Sequence, residues 1–326
     1  MIDVPRRGYG SALMAGIEAA RAEFVIMGDA DDSYDFLEIP SFFNKLREGY
    51  DLVQGCRLPA GGGRVLPGAM PFTHRWFGNP MFSFLARRWF SAPIHDVYCG
   101  LRGFTKAHYE RLQQRCTGME FATEMIIKSS LRRAKIGEVP ITLHPDGRKA
   151  HPPHLNTVRD GWRTLRFFLM CCPRWLFVVP GLLLISLGAL AYVLALPAVS
   201  VRGITFDVHT LLYGSLAILC GYQSVLFAIF TTTFAVNEGI RPATPSYDRF
   251  FRVMDLERGV VLGFLACMVG ALLVGVTFET WRTSSFGHLD YPQTMRWAIP
   301  GTSLLALGFQ TILSSFFVSI LGMQRR

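Results

Sequence analysis

Four long stretches of this 326-residue chain carry no charged residue: Trp175–Leu196, Thr210–Val236, Gly259–Phe278 and Ala298–Met323. A helix of about 20 apolar residues spans a bilayer. Four such runs in series would otherwise need a very large soluble partner to bury them. Half of all residues are hydrophobic, and the mean hydropathy is +0.28. The excess lies in these runs; residues 1–174 alternate charged and apolar stretches as a globular domain does. A multi-pass protein of the plasma membrane is therefore expected.

Arginines orient it. Arg159, Arg163, Arg166 and Arg174 precede the first span, Arg241, Arg249, Arg252 and Arg258 join the second to the third, and Arg325 and Arg326 end the chain. The opposite loops hold only Arg202, Arg282 and Arg296. Basic loops stay inside, so the N-terminal domain and both termini are expected in the cytoplasm. The net charge of +9 is accounted for by this clustering and by anionic headgroups, so no nucleic-acid partner is expected. The seven cysteines show no paired metal spacing and read as reduced thiols. No apolar stretch directly follows Met1–Gly10, so no cleavable leader is expected.

In the first part, Gly8-Tyr9-Gly10 signals a turn, and Leu13, Ile17 and Ala20 then form a helical stripe. Phe24–Met27 reads as a buried central strand of a parallel sheet. A helix carrying Phe42, Phe43 and Leu46 inward should stop at Gly49. Asp51–Gly55 and Glu138–Leu143 read as further strands, the second as a strand start or an edge because Pro140 cannot donate to a ladder. This alternation predicts an α/β domain with a mostly parallel sheet over residues 1–155. Thr73–Phe90 and Asn156–Met170 mix arginines with aromatics and read as helices at the headgroup level, the second forming an interfacial segment over 156–174. An all-α membrane domain follows over 175–326, with spans near 175–196, 210–236, 259–278 and 298–323.

The strand Phe24–Met27 ends in Gly28-Asp29-Ala30-Asp31-Asp32-Ser33. Open α/β sheets bind ligands beyond the carboxyl ends of their strands. Asp29 and Asp31 can reach one hard divalent cation, Mg2+ or Mn2+, if the chain turns sharply there. The competing reading is a helix cap. Arg57, Arg102 and Arg148 each follow an expected strand or a glycine turn, where guanidinium forks could converge on a phosphate. Glu124 could orient one of them or assist an acceptor. A zinc site at His144, His151 and His154 is not favoured, because the prolines between them suit an exposed loop.

Several stretches together carry a resemblance. Arg7–Ser33, Gln54-Gly55-Cys56-Arg57, Tyr98–Phe104, Gly118–Met125 and Glu138–Arg148 resemble family 2 glycosyltransferases, in particular the dolichyl-phosphate mannose synthase branch. The likeness covers roughly residues 6 to 170. It implies a GT-A, Rossmann-like catalytic domain. It also implies inverting, metal-dependent transfer of a hexose from a nucleotide-sugar to a polyprenyl (dolichyl or undecaprenyl) phosphate at the cytoplasmic face. In that reading Asp29 and Asp31 bind the metal, with Asp32 beside them on the donor diphosphate. Asp29, Asp31 and Glu124 are the catalytic set, and Arg57, Arg102 and Arg148 receive the acceptor phosphate. The reading leaves a homo-oligomer open.

The likeness begins only at Arg6 or Arg7, inside the family pattern, so the segment that holds the nucleotide base is expected to be missing. The chain as numbered is then expected to be inactive, which keeps open a lipid-phosphate-binding scaffold. Gln293-Thr294-Met295-Arg296-Trp297 matches the Gln-x-x-Arg-Trp of processive polysaccharide synthases, but it falls on the face opposite Asp29 and reads as chance.

Overall fold

The computed structural model describes residues 4, 8–147, 157–238, 241–253 and 255–323. Arg148, His151 and His154 lie outside the described residues. The chain divides into two compact units, Met1–Cys172 and Pro173–Arg326.

The first unit opens with α1 (Tyr9–Ala19), β1 (Phe24–Met27), a short 3-10 turn Phe36–Glu38 and α2 (Ile39–Arg47). Helix α2 buries Phe42 and Leu46 and ends as expected, with Gly49 in a left-handed conformation at φ 84°. Phe43 stays partly exposed, edge-on to Phe24. Next come β2 (Leu52–Cys56), buried throughout, and β3 (Arg64–Val65). The rest comprises α3 (Asn79–Phe90), β4 (Arg102–Thr105), α4 (Lys106–Leu112), α5 (Glu120–Leu131), β5 (Ile136–Pro140), β6 (Thr142–Leu143) and α6 (Thr157–Cys171).

The main sheet has the order β1-β4-β2-β5 and is mixed. The expected parallel pairing is that of β2 with β5, while β4 runs antiparallel to both β1 and β2. The Gly103-Phe104 stretch, read above only as part of a motif, is thus a strand inserted between β1 and β2. Strand β1 accordingly lies at the edge of the described sheet, and only Met27 of its four residues is buried. Pro140 closes β5 on the opposite edge, where its missing N–H costs no ladder bond.

Helices α3 and α6 meet through aromatic rings. Phe168 of α6 is fully buried among Phe82, Trp89 and Phe90 of α3. Ahead of α3, His74–Gly78 forms a π-helical turn. Phe72, Trp76, Phe77, Met81 and Phe84 stand exposed on this segment, and the Arg75 guanidinium lies over the Trp76 ring.

In the second unit, four described helical segments are long and apolar enough to cross a membrane: Arg174–Ala195, Val208–Asn237, Leu256–Thr283 and Tyr291–Gly322. They overlap the four uncharged runs read from the sequence. The first is a π-helical turn Arg174–Val178 leading into α7 (Val179–Ala195). A small hairpin, β7 (Ser200–Val201) and β8 (Ile204–Thr205), turns the chain into α8 (Val208–Asn237). The amphipathic α9 (Pro245–Val253) leads to α10 (Leu256–Thr283), and α11 (Tyr291–Gly322) completes the described unit. This is a multi-pass membrane protein.

Candidate active site

The chain leaves β1 at Gly28 and passes through Asp29, Asp31 and Asp32 before reaching a helix. Asp29 and Asp31 cap none: the cap of the 3-10 turn is Asp35, which accepts from Leu37 N at 2.9 Å. The Asp29 carboxylate accepts from Tyr9 Oη at 3.3 Å, at the start of α1. Its other oxygen lies over Gly100, where a Cβ would run into it. Gly100 N in turn donates to Tyr34 Oη at 2.8 Å. Asp31 Oδ1 accepts from both the amide and the hydroxyl of Ser33. Asp32 is exposed, takes a left-handed φ of 59°, and directs its carboxylate over Gly147. Gly147 N donates to Asp31 O at 2.8 Å and His144 N to Ser33 O at 2.9 Å. The residues just before Arg148 are therefore fastened to the carboxylate loop.

Charge is concentrated here at low dielectric. Burial, then the neighbouring Asp31 carboxylate, push the Asp29 carboxyl above its ordinary value, against the Tyr9 hydrogen bond and the positive fields of Arg102 and Arg57. Burial and Asp29 likewise push the Tyr9 phenol up to about 12. A divalent cation would relieve the repulsion between the two carboxylates. Among the described residues no group of three or more His, Cys, Asp or Glu side chains is placed to hold a metal. Two carboxylates nevertheless fit Mg2+, which commonly takes one or two from the protein and fills its sphere with water and substrate phosphate oxygens.

Three expected site residues are placed differently. Arg57 does not present its fork to an acceptor: its Nε and Nη2 donate to Asp96 at 2.7 and 2.9 Å, and its backbone N donates there too. Burial alone would lower the Arg57 value, but the fully buried Asp96 carboxylate holds it well above the ordinary one. Arg102 is 0% exposed and donates from Nη1 to Ala122 O and from Nη2 to Cys99 O, both at 2.7 Å. It opposes Met27 in the ladder, at the end of β1. Glu124 is buried as well. It accepts from the amides of Arg115 and Cys116 and pairs with Lys128 Nζ at 2.6 Å. Glu124 thus anchors the 115–116 segment, its oxygens taken up by amides and an ammonium instead of a reacting group.

Sequence reasoning missed Tyr9, Tyr34, Asp96 and Gly100. A signal existed for Asp96, since an arginine at the inner end of a buried strand demands a carboxylate somewhere. Nothing local marks Tyr34 or Gly100, which reach Asp29 only through the fold. Gly100→Ala should therefore misplace Asp29 and Tyr34 at a strain of roughly 1–3 kcal/mol, read as a fall in turnover with the secondary structure retained.

The family model described as Glycosyl transferase family 2 matches residues 1–113, and that of the glycosyltransferase family 2 C-terminal transmembrane region matches 229–322. The low-salt glycan biosynthesis hexosyltransferase Agl6 of Haloferax volcanii is 36% identical over 324 residues, 99% of this chain and 76% of that protein. This chain belongs to glycosyltransferase family 2. A dolichyl-phosphate hexose transferase of the same organism is 31% identical over 142 residues, 43% of this glycosyltransferase and 59% of the relative. Among solved structures, the glucosyl-3-phosphoglycerate synthase of Mycobacterium tuberculosis, determined with Mg2+ and uridine diphosphate, aligns at 18% identity with a TM-score of 0.37, over 52% of this chain and 56% of its own. In this family 2 glycosyltransferase, Arg296 of the Gln-x-x-Arg-Trp match donates to Asp207 at 2.9 Å, ahead of α8.

Proposed function

We propose that this glycosyltransferase moves a hexose from a nucleotide-sugar onto a polyprenyl phosphate at the cytoplasmic face of the plasma membrane, with inversion. The observation that carries the reading is the Asp29–Asp31 pair at the end of β1, its charge backed by two buried arginines. The relatives' hexose and dolichyl-phosphate chemistry supports the substrate classes. In this reading Asp29 and Asp31 would hold Mg2+ or Mn2+, with Asp32 toward the donor, and the bound ion would supply charge neutralisation for a diphosphate leaving group. An acceptor phosphate oxygen is already anionic, so it needs placement more than a base. It attacks the anomeric carbon from the side opposite the departing diphosphate, and that single displacement inverts the centre. Arg148, next after Gly147, is the arginine left to receive the acceptor. Arg57 and Arg102 act through their field from beneath.

The exposed Phe72, Trp76, Phe77, Met81 and Phe84 beside Arg75 suit a surface lying at the headgroups, where a lipid-borne acceptor phosphate is presented. The arginine distribution supports the cytoplasmic orientation.

The test is transfer of labelled hexose to polyprenyl phosphate in membranes carrying the full chain, with guanosine and uridine diphosphate sugars compared. Arg148→Ala should raise the acceptor KM by an amount equivalent to about 1.5–3 kcal/mol, the size of a charge-assisted hydrogen bond, and leave the donor KM unchanged. A raised donor KM with an unchanged acceptor KM would move Arg148 to the nucleotide side.

A further inference from the structure

The two helical hairpins of the second unit carry one pattern twice. Helix α7, with its approach, reads Val178-Val179-x-Gly181-x-Leu183, then Gly188-Ala189-Leu190; α10 reads Val260-Val261-x-Gly263-x-Leu265, then Gly270-Ala271-Leu272. Helix α8 reads Gly214, then Gly221-Tyr222-Gln223-Ser224-Val225-Leu226, then Phe230. Helix α11 reads Gly301, then Gly308-Phe309-Gln310-Thr311-Ile312-Leu313, then Phe317, at identical spacing. General apolar composition does not explain a shared glutamine, or glycines, leucines and a phenylalanine in one register.

The structure repeats the pattern in the close approaches of its glycines. In the first hairpin a Cβ at Gly181 would meet Gly221 O, and one at Gly188 would meet Gly214 O. In the second, Gly263 faces Gly308 O and Gly270 faces Gly301 O. The side chains around each glycine correspond too. Gly221 lies against Ile185 and Gly308 against its counterpart Cys267; Gly188 lies against Ile218 and Gly270 against its counterpart Leu305. Small residues let membrane helices approach this closely, and a seven-residue interval keeps them on one face. The outward faces agree as well: Leu183 and its counterpart Leu265 are 60% and 54% exposed.

The hairpins join through α8 and α11, and later residues of α8 meet later residues of α11, so the two run in the same direction. Phe230 meets its own counterpart, Phe317, edge to face at 4.8 Å between ring centroids. One stretch earlier, Tyr222 Oη and Thr311 Oγ1 are 2.6 Å apart. A groove further along is lined by Leu212, Ser215 and Leu216 and by their counterparts Ile299, Thr302 and Ser303. Equivalent residues at equal height are what parallel repeats about an axis along the membrane normal produce.

We propose that the membrane unit is a tandem duplication, in which α7–α8 and α10–α11 are two copies of one helical hairpin and the α8–α11 seam is the surface by which each copy docks the other. The glycine contacts hold each hairpin, and the Phe230–Phe317 seam pairs them.

The experiment uses the full chain without its native cysteines, in membranes, with a short thiol cross-linker. Phe230→Cys with Phe317→Cys should cross-link almost completely. Pairing Phe230→Cys with Leu313→Cys or Leu321→Cys, one turn away on either side, should fall to background. A maximum at a shifted pair would overturn the seam. Gly188→Ala and Gly270→Ala, counterparts in the two copies, should lower detergent melting by similar amounts, while Gly275→Ala, which meets no neighbour, should not lower it. A loss at only one of the two glycines would overturn the equivalence of the copies.

Discussion

Asp29→Asn and Asp31→Asn should each lower transfer by roughly a hundredfold or more with the fold intact. A bound cation stabilises a departing diphosphate by several kcal/mol, and losing about 3 kcal/mol of that corresponds to roughly two orders of magnitude in rate. Stability should move the other way for Asp29. Its carboxyl is raised in the folded chain by burial and by Asp31. Its contribution is therefore fully present below the unfolded carboxylate value and is lost as pH rises through the folded one. At neutral pH, with a chelator present, Asp29→Asn should melt higher than the parent while transferring little. Equal activity in the parent and both variants, or transfer indifferent to the chelator, would remove the two carboxylates from the site. A variant that melts lower would show that Asp29 serves the fold.

Asp96→Ala should be the most damaging single change in the first unit. Asp96 is fully buried and takes three donors from Arg57. Removing it strands a buried guanidinium, which costs on the order of 3–5 kcal/mol. The loss should appear as a lower melting temperature and early proteolysis of the first unit. Its consequence reaches the active site, because the loop after Asp96 is clamped by Gln54 Nε2 on Asp96 O and Cys99 O and carries Gly100 beneath Asp29. Replacing both partners, as Arg57→Met with Asp96→Leu, should recover much of the stability, since no charge is then left unpaired. If Asp96→Ala melts like the parent, the pair is not what holds this loop.

What local chemistry dictates was legible in the chain. Charge-free runs of spanning length identified the membrane helices, because length and apolarity alone decide whether a helix can cross a bilayer. Gly49 marked the end of α2, because a left-handed residue after a helix is a local requirement. The acidic turn after Phe24–Met27 marked the candidate site, because hard-oxygen ligands beyond a strand end are recognisable by residue type and spacing.

Pairing and burial were decided only in three dimensions. The sheet is mixed because β4 enters between β1 and β2, and no residue of Arg102–Thr105 announces which strands it will join. Arg57 and Arg102 looked like ligands because guanidinium forks suit phosphate, and Glu124 like a residue that orients them or assists the acceptor, yet each is buried and bound to internal groups. Tyr9 looked like part of a turn, Gly100 like one position of a family motif, and Asp96 drew no reading, yet all three shape and support the Asp29 carboxylate. The duplicated hairpin is a further case. Its repeats were present in the chain, but only the matching close approaches at Gly181, Gly188, Gly263 and Gly270 separate them from ordinary apolar sequence, because helix pairing in a membrane depends on fit between backbones as well as on hydropathy. Sequence alone thus determined which residue types could bind a phosphate or cross a bilayer, and the tertiary structure decided which of them are buried against internal partners, because exposure and partner choice are properties of distant residues brought together.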